Sequence, residues 1–96
     1  MLSRIPIDLE RIRIKKEDID KEILRAGIIA ELDAINLYEQ MAAMTGREDI
    51  RKILLDIAKE EKTHVGEFQA LLLELDKEQK RELEEGGEEV KELLKR

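Results

Sequence analysis

Two long stretches of this chain place residues at alternating spacings of four and three, and only a few residues separate them. The first runs Leu24, Ile28, Glu31, Ile35, Tyr38, Ala42; the second runs Ile50, Leu54, Ile57, Glu61, His64, Phe68, Leu71. That is the periodicity of one buried face of an α-helix. Gly46 stands after the first run as a C-terminal cap, and Glu48 and Asp49 open the second beside the positive end of its helix dipole. The sequence predicts helix one over 18–45 and helix two over 48–75, each roughly 40 Å long at about 1.5 Å per residue. So short a turn forces the two into an antiparallel hairpin. The fold class expected is all-α, a single domain over 1–96.

The flanks are less regular. Residues 1–16 carry Ile5, Ile7, Leu9, Ile12 and Ile14, read as an arm that docks on something, such as a neighbouring subunit. Residues 77–96 have helical propensity, but Gly86-Gly87 should interrupt them, giving one or two short helices.

Composition narrows the function classes. A net charge of −6 argues against a nucleic-acid partner, which needs clustered Lys and Arg. No apolar run approaches membrane length, and the charged N-terminus does not fit a signal peptide, so a cytoplasmic protein is expected. With no cysteine there is no thiolate metal site and no disulfide. Tyr38 and Phe68 are the only Phe, Tyr or Trp residues, and the apolar content is aliphatic. Ninety-six residues bury a limited core alone, which suits assembly with other copies.

Each seam is apolar except at its centre, where Glu31 stands in one and Glu61 and His64 in the other. A buried carboxylate without a partner costs several kcal/mol, so such positions carry a counter-charge or a metal. A Glu three residues before a His means little by itself, because seventeen residues of this chain are Glu. A lone seam histidine is also more often a hydrogen-bonded core residue than a ligand. The register decides: residues three apart on a helix project side by side, so Glu61 and His64 can share one ion, and Glu31 holds the matching place on the other helix. Tyr38, seven residues after Glu31, reads as a half-buried core tyrosine or as a donor that orients a ligand carboxylate. Asp33 and Asp56 lie off the seams and read as solvent-facing; Met41 and Met44 read as gap-fillers near the turn.

Ligand counting then predicts the assembly. Di-iron carboxylate bundles take a Glu from each of two helices and a Glu-x-x-His from each of the other two. This chain supplies one of each, which is half a four-helix bundle and half a two-metal site. Two copies about a two-fold axis would complete both.

Glu31-Leu-Asp-Ala-Ile-Asn-Leu-Tyr38, followed by Glu60-Glu61-Lys62-Thr63-His64, resembles the encapsulated ferritins, two-helix members of the ferritin-like superfamily. The resemblance covers about residues 18–76. It implies a homodimer forming a ferritin-like four-helix bundle, a di-iron centre with Glu31, Glu61 and His64 as ferroxidase ligands, and Tyr38 beside them. It further implies an open ring, commonly a decamer, inside an encapsulin nanocompartment. Asp33 matches an acidic position near the entrance of such sites, whereas the other entrance acid is replaced here by Ala30. The end of the chain, Glu92-Leu-Leu-Lys-Arg96, shows no recognisable shell-targeting tail, and some members are instead fused ahead of the shell protein.

Carboxylate and imidazole ligands suit iron in both oxidation states, with carboxylate favouring the ferric product. The activity expected is a ferroxidase, oxidising Fe(II) with dioxygen and delivering iron for storage in the encapsulin shell. Another di-metal task, such as a manganese or iron oxidase or a peroxidase, is the second reading, and a metal-free helical scaffold is the third. Without cysteines for an electron-transfer centre, the chain is a poor match to rubrerythrin itself.

Overall fold

The computed structural model describes residues 16–96. They form three helices: α1 over Lys16–Met44, α2 over Glu48–Leu75 and α3 over Lys77–Leu94. The arm expected over 1–16 lies outside the described residues, save Lys16, which begins α1.

α1 and α2 form the hairpin. Arg25 of α1 meets Asp76 just beyond α2, and Glu39 meets Lys62, so early residues of α1 face late residues of α2. The core between them is small: Ala34, Ile35 and Ala42 from α1, Ala58 and Leu72 from α2. Three of these five are alanines, whose short side chains allow the two backbones to approach closely.

The turn between them closes differently from expectation. No glycine among the described residues has a positive φ, so Gly46 is not a left-handed cap. Instead the Thr45 N–H donates to the Met41 carbonyl at 3.1 Å, and the Arg47 N–H donates to Thr45 Oγ1 at 3.2 Å. Arg47, extended at φ −104° and ψ 124°, sends its guanidinium to both oxygens of Asp49, 3.1 and 2.6 Å away. That guanidinium, with the Ile50 N–H donating to Asp49 Oδ1, holds the Asp49 carboxyl below its ordinary value. Met44, read as core filler, is 84% exposed, because it is the last residue of α1 and turns outward at the bend.

A single residue, Asp76, separates α2 from α3. Its carboxylate caps α3 by accepting the Gln79 N–H at 3.0 Å, and the Arg25 guanidinium reaches it at 2.7 Å. The interruption expected at Gly86-Gly87 does not occur, and one helix of eighteen residues runs through both glycines. The left-handed residue is Lys95, at φ 55°. There the Lys95 N–H donates to the Glu92 carbonyl and the Arg96 N–H to the Lys91 carbonyl, the Schellman arrangement. Two mid-helix glycines cost about 1 kcal/mol each, and a helix capped at both ends accommodates them.

α2 carries its expected apolar stripe, but that stripe does not form the hairpin core. Ala58 and Leu72, buried against α1, lie one position on from Ile57 and Leu71, about 100° round the helix. Ile50 is 41% and Leu71 52% exposed. The seam therefore borders the core and runs along an open face of the hairpin. The radius of gyration, 17.0 Å, exceeds the roughly 12.5 Å of a compact chain this long.

Candidate metal centre

Helices of 29 and 28 residues joined by a three-residue turn must lie with their midpoints opposite. Glu31 is near the midpoint of α1; Glu61 and His64 straddle that of α2. The antiparallel hairpin alone thus brings Glu31 to Glu61 and His64, thirty and thirty-three residues later in sequence.

His64 Nδ1 lies 3.5 Å from an oxygen of Glu31 and 3.5 Å from an oxygen of Glu61. One ligand atom from each of the three falls within 4.8 Å of the others. These separations are long for hydrogen bonds. Ligand atoms held about 2.0–2.2 Å from a common ion stand at such separations from one another. Burial agrees with a ligand site: the Glu31 and Glu61 side chains are each 19% exposed, and Glu31 Oε2 is inaccessible to solvent and makes no hydrogen bond. A buried carboxylate oxygen left in that state costs free energy that an ion would return. The residues present therefore fit a divalent cation.

A recess of about 330 Å³ opens before the cluster, lined by Glu31, His64, Glu67, Phe68 and Leu71. Its apolar wall depends on Gly27, one helical turn before Glu31. A Cβ at that position would lie 3.2–3.3 Å from the Phe68 ring, so only glycine lets the ring rest there without displacement. Gly27 and Glu67 escaped the sequence reading. A mid-helix glycine one turn from Glu31 was the available signal for the first; nothing distinguished Glu67 from the other glutamates. Tyr38 is half-buried and does not line the recess. Asp33, two residues and about 200° of helix beyond Glu31, is half-buried rather than solvent-facing as expected, since it adjoins the buried Ala34, and is absent from the lining too, while Asp56 is exposed as expected.

The rubrerythrin family profile matches residues 22–95. A crystal structure of an encapsulated ferritin domain from Pyrococcus furiosus superposes with a TM-score of 0.81 at 59% identity, covering 94% of this chain and 95% of that one. The chain belongs to the rubrerythrin family, and within it to the encapsulated ferritins. The cysteine count argued against rubrerythrin itself, but the family match rests on the helical domain and needs no cysteine. Among curated proteins, a ferritin-like–encapsulin shell fusion protein of Pyrococcus furiosus is 61% identical over 93 residues. An encapsulin nanocompartment cargo protein, EncC of Myxococcus xanthus, is 40% identical over 68 residues. These alignments cover 97% and 71% of this chain but only 27% and 52% of the two relatives. An encapsulated ferritin of this kind is all-helical, and no helix among the described residues is long and apolar enough to cross a membrane.

Proposed function

We propose that this chain is a ferroxidase whose substrate is ferrous iron, held by Glu31, Glu61 and His64. The observation that carries the reading is the convergence of these three on one point, with His64 Nδ1 3.5 Å from both carboxylates. Two carboxylates and one imidazole make a donor set that accepts Fe(II) and favours Fe(III). Each pair of ferrous ions yields two electrons, which dioxygen takes with two protons as hydrogen peroxide; a second pair carries the reduction to water. The chain's part is to bind, to orient and to keep open positions for the oxidant, and no side chain serves as a nucleophile.

One chain provides one such cluster, and the di-iron pattern requires two. The exposed seam supports a second copy as the missing half. Ile23, Ile50, Ile53, Leu71 and Leu75 are each between 41% and 63% exposed on a hairpin with a core of only five buried residues. Apolar surface of that extent on a small chain marks an interface. The functional unit in this reading is a homodimer closing a four-helix bundle, assembled further into an open ring such as a decamer. Asp33 and Tyr38 lie away from the recess within one chain and in this reading act only in the assembled site. The names of the two relatives, a shell fusion and a shell cargo protein, support placing this chain inside an encapsulin compartment that receives the ferric product.

The test is stopped-flow addition of Fe(II) to metal-free protein in aerated buffer, followed by ferric absorbance, with anaerobic titration giving the stoichiometry. One iron bound per chain, oxidised far faster than in buffer, is expected. Binding without oxidation would point to another di-metal task, and no binding to a scaffold.

A further inference from the structure

We propose that Glu67 receives ferrous ions from solvent and passes them to Glu31 and His64. This rests on the ferroxidase reading above and adds the route by which its substrate arrives. The resemblance to the encapsulated ferritins implied an entrance acid at Asp33, yet the recess before the cluster is not lined by Asp33. Its polar lining is Glu31, His64 and Glu67, walled by Phe68 and Leu71. Of the two acids in that lining, Glu67 is exposed, whereas the Glu31 side chain is 19% exposed and its Oε2 is shut off from solvent without a hydrogen bond. An ion therefore meets a hydrated carboxylate first and the unpartnered one behind it.

Spacing supports the transfer. Glu67 follows His64 by three residues, so their side chains are neighbours on one helix surface. It stands about 90° round α2 from the centre of the apolar seam, at the edge of the face that a second copy would cover. A divalent cation is drawn to such a charge through solvent, an attraction that raises the rate of encounter and weakens with salt. The apolar walls give an arriving ion no competing ligand, so the next oxygen available to it is that of Glu31. Glu67 and the three site residues thus divide the work: one collects, three hold.

Glu67→Gln removes the charge at constant size, and Glu67→Asp restores it. Glu74→Gln is the matched control: exposed, on the same side of α2 two turns farther on, and outside the recess. The probe is anaerobic Co(II), its uptake followed by visible absorbance, alongside oxidation rate against Fe(II) concentration. Glu67→Gln should slow Co(II) association about 3–10-fold in low salt while leaving its stoichiometry unchanged. The Fe(II) concentration for half-maximal rate should rise by a similar factor at unchanged maximal rate. Glu67→Asp should recover most of the loss, Glu74→Gln should match wild type, and 0.5 M salt should bring wild type and Glu67→Gln together. Equal Co(II) uptake in Glu67→Gln and Glu74→Gln, or a reduced maximal rate with unchanged uptake, would overturn the proposal and leave the ferroxidase reading intact. Wild-type protein that neither binds Co(II) nor oxidises Fe(II) would overturn both.

Discussion

The far end of the hairpin and its middle treat a carboxylate in opposite ways. At the far end, Asp76 accepts the Gln79 N–H at 3.0 Å and meets the Arg25 guanidinium at 2.7 Å. In the middle, Glu31 Oε2 is buried with no hydrogen bond, and the His64 imidazole nitrogen stands 3.5 Å away. Asp76 is satisfied by the fold and ties α1 to the start of α3. Glu31 is left unsatisfied by the fold, a cost that a protein retains when a ligand relieves it. One acid serves the chain's own structure; in the proposed reading the other serves an ion the chain binds.

The largest effect that would break this contrast concerns the site acids. Glu31→Ala, Glu61→Ala and His64→Ala should each slow Fe(II) oxidation by on the order of 100-fold or more, since even residues that merely support a ligand cost about 10–100-fold. Their far-ultraviolet circular dichroism should stay helical. Glu60→Ala, one residue off the seam, should oxidise at the wild-type rate; wild-type rates in all three site variants would remove the assignment.

Metal should also separate the two regions thermally. An ion that binds only the folded chain at about 100 times its Kd adds about 2.7 kcal/mol, so Co(II) should raise Tm in the wild type. Glu31→Gln should abolish that rise, whereas Asp76→Asn should retain it. A metal-induced shift that survives Glu31→Gln would contradict the role given to this acid.

A third, smaller effect sharpens the geometry between the two regions. At Gly27 even a single carbon would press on the Phe68 ring, so Gly27→Val should cost about 1–3 kcal/mol in denaturant unfolding, as overpacking does. Chemical-shift changes should centre on Phe68 and His64. An unchanged Phe68 environment would show that the ring is not wedged there.

The smallest expected effect concerns pH at the far end. Donation by the Gln79 N–H, aided by Arg25, holds the Asp76 carboxyl below its ordinary value. A carboxyl depressed in the folded state stabilises above its unfolded pKa of about 3.9 and loses that contribution as pH falls through the folded value. Protection of the Gln79 amide, its exchange rate taken relative to the intrinsic rate at each pH, should therefore begin to fall below pH about 3.9 in the wild type. In Asp76→Ala, which has no side-chain acceptor, that protection should be low at every pH with no acid transition, and a flat wild-type profile would deny the cap.

Much of the site could be read from residue order. Alternation of four and three marks a helix face because 3.6 residues make a turn, and it singled out Glu31, Glu61 and His64. Near-equal helix lengths and a short turn then put the three opposite one another. Periodicity says that a face will be covered, but not by what. The α2 stripe was readable, yet only packing set its azimuth, with Ala58 and Leu72 toward α1 and Ile50 and Leu71 left exposed. Local propensity misled at both glycine positions, because the conformation of a turn or a tail depends on competing partners. Arg47 with Asp49 closed the first turn, and the cap at Asp76 with left-handed Lys95 bounded α3 around its glycines. Glu67 and Gly27 acquired meaning only when a recess and a ring stood beside them. The sequence by itself determined which residues share a helix face, since that follows from the pitch of one backbone. Tertiary structure alone decided which neighbour each face meets, since that follows from how two surfaces fit.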